Sequence, residues 1–221
     1  MPLIVLEGPE GAGKTTQLRL LAERLTAAGK NVVAVREPGG TPLGDEIRRL
    51  LLDPSSDIAP RAESLLFMAS RAQLVEREIT PALASGAIVL LDRFFLSTFA
   101  YQVAGRGLPH EEVGAANRLA TGALRPDVTL LLSLPVDEGL TRAKQRGPHD
   151  RMERSDAAFH ERVERAFQEF ATKEWQTAHP ESGPVVTVDG RGSVEEVFAR
   201  VRTALEKRWP GTFAIAAAHK R

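Results

Sequence analysis

The 221-residue chain contains no cysteine, which excludes disulfides and cysteine-ligated metal clusters and makes the cytoplasm the expected compartment. No apolar run approaches the about 18 residues that a membrane helix needs, and the start at Met1-Pro2-Leu3 carries no signal-peptide pattern. Charge of either sign is also missing in excess. The 29 Lys and Arg balance 29 Asp and Glu, so no global field draws the chain to nucleic acid or anionic lipid, and neither is expected as a partner. Aromatic residues make up only 5% of the chain, with Tyr101 the single tyrosine. No Pro/Ser/Gly-rich linker divides the sequence, so one α/β domain over residues 1–209 is expected, followed by a flexible extension at 210–221.

What is present begins with a 43% hydrophobic content, ample for a core, and with arginine outnumbering lysine 23 to 6. Planar guanidiniums suit bidentate phosphate contacts, although genome base composition produces the same bias. The most informative stretch is Gly8-Pro9-Glu10-Gly11-Ala12-Gly13-Lys14-Thr15, which fits G-x-x-x-x-G-K-[ST]. It follows the apolar run Leu3–Leu6 and leads through Thr16 into a helix-forming segment, the strand–loop–helix context the motif requires. The glycines let backbone N–H groups turn inward around a phosphate chain, and the helix start adds positive partial charge. Lys14 is placed to reach the β- and γ-phosphates and Thr15 to ligate Mg²⁺. This chemistry is that of a nucleotide-phosphate binder.

Apolar, β-branched runs recur at Leu3–Leu6, Asn31–Val35, Ala87–Leu91, Asp127–Leu134 and Val185–Val188. Helical patterns are expected over Thr16–Ala28, Leu43–Leu52, 61–84, Leu96–Ala104, Glu111–Thr121, Val136–Arg146, Ala157–Ala178 and Val194–Lys207. This βα alternation predicts an α/β fold of the P-loop NTPase type. Its doubly wound sheet of five parallel strands has helices on both faces and ligands at the strands' carboxyl ends. The third run ends in Asp92-Arg93, the Walker-B form in which a carboxylate holds Mg²⁺. Strands often end at Asp, so this signal takes its weight from the loop at Gly8–Thr15. Arg93 adds a guanidinium able to bridge a donor and an acceptor phosphate. No Asn-Lys-x-Asp occurs to read guanine, and a nucleic-acid motor needs a longer, more basic chain. Transfer between two small phosphorylated molecules fits better.

Four blocks make the reading more specific. They are Glu10–Gln17, Arg36-Glu37-Pro38-Gly39-Gly40-Thr41-Pro42, Leu65–Gln73, and Asp92-Arg93-Phe94 with Ser97–Gln102. Together they resemble the thymidylate kinase family, of the bacterial kind, over nearly the whole chain to about Trp209. The resemblance implies transfer of the γ-phosphoryl of ATP to dTMP, with Mg²⁺, in a homodimer. It places Phe67 on the thymine ring, Arg71 at its O4, Ser97 or Thr98 and Gln102 near the base, and Tyr101 against the sugar. It also brings Arg48 toward the monophosphate, associates Glu37 with the acceptor site, and puts Glu10 near the 3′-hydroxyl and the metal. The Gly139–Arg154 stretch looks like the family's lid, about 142–154. There Arg142 lies beside ATP, and Arg146 or Arg151 is delivered to the transferring phosphoryl group.

Each of these residues also has a plainer reading. Phe67 and Arg71, four apart, are equally a core phenylalanine beside a solvated arginine, and Thr98, Tyr101 and Gln102 equally pack within a helix. Arg48-Arg49 is equally an exposed pair, and the lid arginines a solvated basic loop. Glu37-Pro38 is of the one bond type in which cis is common. Phe94 departs from the Tyr or His expected after Asp92-Arg93, so a polar contact to the nucleotide is missing there. The alternatives to a dTMP kinase are a P-loop kinase for another nucleoside monophosphate or small metabolite, and a non-enzymatic ATP-dependent switch.

Overall fold

A computed structural model describes residues 1–135, 138–139, 141–142 and 150–214. Five strands form one parallel sheet: β1 (Leu3–Glu7), β2 (Val32–Arg36), β3 (Ile88–Asp92), β4 (Val128–Ser133) and β5 (Val185–Asp189), ordered β2-β3-β1-β4-β5. β1 and β3 are buried along their whole length, as strands covered on both faces must be, and their unbroken Leu/Ile/Val runs follow from that burial. In register, Leu6 of β1 faces Asp92 of β3 and Arg36 of β2 faces the same residue. All the strands therefore end together at one edge.

Helices cover both faces. On one, α1 (Lys14–Ala27) and α9 (Val194–Arg208) pack Leu18, Leu21, Leu25, Phe198 and Val201 against Ile4, Leu90 and Leu130. On the other lie α3 (Pro60–Leu74), α4 (Thr80–Ala84), α5 (Phe95–Thr98) and α7 (Ala157–Phe170), closing over Val5, Val89 and Leu91. α2 (Pro42–Leu52) and α6 (His110–Thr121) flank α3. α8 (Lys173–Ala178) follows α7.

Three helical expectations need correction. The helix expected over 61–84 is interrupted by a π-turn at Val75–Ile79, just before Pro81. Proline has no N–H to donate and crowds the carbonyl four residues back, so a widened turn relieves both. The Leu96–Ala104 helix tightens only over Phe95–Thr98 and widens into a π-turn from Phe99 to Gly105. The expected Ala157–Ala178 helix is two helices, because the Thr172 hydroxyl caps a new start by accepting from the Trp175 N–H at 3.3 Å. Of the helix expected over Val136–Arg146, residues 138, 139, 141 and 142 are helical and the others lie outside the described residues.

The extension expected to be flexible from 210 is docked at its start: Phe213 is fully buried in the α1/α9 core, with its ring 5.7 Å from that of Trp209. Residues 215–221 lie outside the described residues. Among the described residues no helix is long and apolar enough to cross a membrane.

Leu90, at the centre of β3, has no exposed surface. Leu90→Ala is expected to cost about 2–5 kcal/mol, read as a lower urea midpoint with an unchanged slope in denaturant unfolding.

Candidate active site

The site follows from how the chain leaves β1. Gly13, with φ of 90°, occupies the left-handed region, and α1 starts at Lys14, two residues earlier than the sequence pattern suggests. The first helical amides thus belong to the motif itself and face the loop, ready for an anion. Gly11 (φ 73°) is required for a second reason: a Cβ there would overlap the Gly139 backbone. The loop and the segment after β4 therefore touch main chain to main chain.

Lys14 is buried and donates from Nζ to the carbonyls of Gly8 at 3.0 Å and Pro9 at 2.8 Å. Burial, helped by the neighbouring Arg93 charge, lowers its pKa to about 8. The Thr15 hydroxyl donates to Asp92 Oδ2 at 2.5 Å. Two hard oxygens from a loop threonine and a strand-end carboxylate suit Mg²⁺, which keeps waters and phosphate oxygens for its other positions. Glu10, Gly11, Gly13, Lys14, Thr15, Thr16 and Asp92 all line one cleft; Gly8, Pro9 and Ala12 complete the loop behind it.

Arg93 lies between this phosphate end and the far end of the cleft. Its backbone has φ of 70°, held by its N–H donating to Leu6 O at 3.0 Å. The guanidinium donates to Glu10 Oε2 at 2.8 Å and Ser97 Oγ at 2.9 Å, and lies 5.2 Å from the Tyr101 ring centroid. Beneath it, fully buried Glu7 accepts from the N–H groups of Phe94 (2.7 Å) and Ser97 (3.0 Å) and from Ser97 Oγ (2.6 Å). Burial opposes the Arg93 charge, but Tyr101, Glu10, Asp92 and Glu7 outweigh it and hold its pKa above the ordinary range.

Beyond Arg93 the cleft is lined by Glu37, Arg48, Phe67, Arg71, Ser97, Thr98, Tyr101 and Gln102, so the structure brings these sequence-selected residues together. Phe67 is half-buried and presents an apolar wall. Arg48 donates to Pro38 O at 3.0 Å, and the Glu37-Pro38 bond is cis. Arg71 is not solvated. Its N–H groups are matched by Glu37 Oε2 (2.8 Å to Nε, 2.6 Å to NH2), Thr98 Oγ1 (2.8 Å), Asn117 Oδ1 (2.5 Å) and Phe94 O (2.9 Å). A direct bond from Arg71 to a base therefore requires one of these acceptors to be given up. Burial pushes the Glu37 carboxyl up against the opposing pull of Arg71, and its Oε1 has no hydrogen-bond partner among the described residues. Phe94 is a core residue with its ring 4.9 Å beneath the Arg71 guanidinium, so the departure noted there is absorbed by packing.

The two arginines considered for the lid differ in what the structure describes. Arg151 does not line the cleft: it donates to Glu63 Oε2 at 2.6 Å and Leu51 O at 2.7 Å, anchored on α3 and the end of α2. Buried Glu63 offers a stronger partner than solvent. Arg146 lies outside the described residues. Arg142 donates to Gly190 O at 3.2 Å, on the loop after β5.

Sequence reasoning missed Glu7, Glu63 and Asn117, and with them Arg36, Leu52, Asp150 and Met152 along the wall. An acidic residue closing the otherwise apolar β1 run was a signal for Glu7. Asn117 stands between the buried positions Val113 and Ala120 of α6, a polar residue on an apolar face. Glu63 resembles any first-turn acid of a helix and carried no signal.

Triphosphate binding beside Lys14 raises the affinity of that amine for its proton. At about pH 9, above the depressed pKa of the free site, ATP binding is expected to take up close to one proton. Isothermal titration calorimetry in buffers of different ionisation enthalpy measures this, and the uptake should vanish in Lys14→Met.

Comparison with known proteins agrees with this arrangement. The sequence model described as thymidylate kinase matches residues 6–199. A thymidylate kinase of Deinococcus radiodurans is 46% identical over 205 residues, covering 93% of this chain and 96% of its own. One from Synechococcus sp. is 48% identical over 209 residues, covering 94% and 95%. The crystal structure of thymidylate kinase from Ehrlichia chaffeensis superposes with a TM-score of 0.71 at 30% identity, covering 93% of this chain and 98% of that one. With these matches over most of its length, the chain belongs to the thymidylate kinase family.

Proposed function

We propose that the chain transfers the γ-phosphoryl group of ATP to dTMP, giving dTDP and ADP for dTTP synthesis, as a Mg²⁺-dependent cytoplasmic enzyme. One observation carries the reading: the amide-lined loop and the Phe67 wall belong to one continuous cleft, with Arg93 between them. ATP phosphates rest on the loop from Gly8 to Thr16 and on Lys14, whose present bonds to two carbonyls are exchanged for phosphate oxygens. Arg142, beside Gly190, borders the adenosine end. Mg²⁺, held by Thr15 and Asp92 with Glu10 nearby, neutralises phosphate charge when bound.

At the acceptor end, Phe67 stacks on thymine, Tyr101 fills the space a 2′-hydroxyl would need, and Arg48 and Arg93 grip the monophosphate. Arg93 is aimed by Glu10 and Ser97, so its position does not depend on substrate arriving first. The acceptor phosphate is already anionic near neutral pH, so no general base is needed. Transfer is in line, and catalysis is positioning plus charge stabilisation. With Arg151 tied to Glu63, the lid arginine is assigned to Arg146 on the sequence alone.

The homodimer rests on a separate feature. α2, α3 and α6 lie side by side, and they expose Leu43, Leu50, Leu65 and Leu119, the last at 87%. A second copy of this face is the occupant proposed for it. Leu50→Glu with Leu119→Glu is expected to convert a dimer to a folded monomer in sedimentation velocity.

Lys14→Ala and Arg93→Ala are each expected to lower kcat/KM for dTMP by about 10³ or more. ADP release with ATP and Mg²⁺ across dTMP, dUMP, dCMP, CMP and AMP measures both the loss and the specificity. Turnover confined to dTMP, with weaker dUMP, fits the proposal; equal turnover across the panel, or near-normal variants, would reject it.

A further inference from the structure

Glu63 has no exposed surface, yet its carboxylate accepts from three side chains on two separate segments. Arg106 grips it from the end of the π-turn, with Nε 3.1 Å from Oε1 and NH2 3.1 Å from Oε2. Arg151 reaches Oε2 at 2.6 Å from within the stretch likened to the lid. The third partner is Gln102, whose Nε2 donates to Oε1 at 3.1 Å. Arg106 is itself seated on the Phe159 ring, 4.5 Å from its centroid, so the carboxylate cannot swing away without unstacking it.

This fixes more than a contact. An ionised carboxylate only accepts hydrogen bonds, so whichever end of the Gln102 amide faces Glu63 must be the NH₂. The carbonyl of Gln102 is then turned away from Glu63. Gln102 is 2% exposed and lines the cleft, and no donor among the described residues reaches that carbonyl. Beside it, the Thr98 oxygen accepts from Arg71, which leaves its hydroxyl proton to point elsewhere. The wall therefore offers a fixed acceptor next to a donor. Thymine and uracil present the complement, a ring N3–H beside the O4 acceptor. Cytosine presents the reverse, a bare N3 beside an N4 amino group.

We propose that Glu63 is a positioning residue for pyrimidine choice: by holding the Gln102 amide in one orientation, it makes the pocket demand a ring N–H at position 3. This rests on the reading that the base lies against Phe67. The role differs from scaffolding because the chemistry of Glu63, acceptor-only, sets which substrate is rejected. A neutral amide at position 63 would keep its carbonyl at the Oε2 position, where Arg106 NH2 and Arg151 NH2 both donate, and place its NH₂ at the Oε1 position, facing Gln102 at the expense of the Arg106 Nε bond. The Gln102 amide would then rotate and present a donor to the base.

The test compares kcat/KM for dTMP and for 5-methyl-dCMP, which keeps the methyl group and changes only the hydrogen-bonding edge. Rejection of the wrong edge by a buried polar site is worth on the order of 10⁴. Glu63→Gln is expected to lower the ratio of the two constants at least about tenfold, with this change absent in a Gln102→Ala background. Equal losses for both substrates with the ratio unchanged, or a changed ratio that persists without Gln102, would overturn the proposal. Should E63Q fail to fold, neutron diffraction on the wild-type complex with dTMP decides: deuterium on the Gln102 nitrogen must face Glu63, and deuterium facing N3 overturns it. dTMP bound away from Phe67 would instead reject the site reading itself.

Discussion

The parallel pairing of β1 with β3 is the constraint on which the site depends. It sets Leu6 opposite Asp92, and the Arg93 N–H closes the ladder on the Leu6 carbonyl. From that register the chain can turn into the phosphate loop on one side and into Asp92-Arg93 on the other, so that a loop hydroxyl and a strand-end carboxylate meet at 2.5 Å. A slip of one residue would send every side chain of β1 to the opposite face and separate these groups. The rigidity needed comes from burial on both faces, which is why the two strands consist almost wholly of branched apolar residues.

Charge is concentrated where the sheet ends. Glu7, Glu10, Asp92, Lys14 and Arg93 would repel or desolvate one another at great cost if arranged at random. Instead each carboxylate meets a donor: Glu7 the amides at the start of α5, Glu10 the Arg93 guanidinium, Asp92 the Thr15 hydroxyl. The Phe67 end of the cleft is organised in the same way around Glu37–Arg71 and Glu63–Arg106. Buried ion pairs contribute little net stability, because desolvation offsets attraction. Their value here is geometric, since they hold polar groups at fixed angles before substrate enters.

The sheet, its strand count and the phosphate loop were legible in the sequence because each has a local period or a spacing of fixed meaning. The cleft residues around Phe67 and Arg71 became legible through family resemblance, whereas four-residue spacing alone left them ambiguous with ordinary packing. What stayed hidden depends on contacts between distant parts of the chain. Glu63 and Asn117 take their meaning from Gln102 and Arg71, 39 and 46 residues away, and nothing in their own neighbourhoods records that. Arg151 misled for the same reason: a basic residue in a polar loop looks free until a buried acid is found beneath it. Local signals also could not show where Pro81 would widen a helix or where Thr172 would start a new one.

The saturation of Arg71 has a practical side. Four of the five N–H groups of its guanidinium already donate to protein acceptors and NH2 is also in ion-pair contact with Glu37, so an inhibitor that seeks affinity by capturing this cation competes with Glu37, Thr98, Asn117 and the Phe94 carbonyl. Medicinal chemistry aimed at this pocket gains more from a flat ring fitted to the apolar Phe67 wall, where no such exchange is demanded.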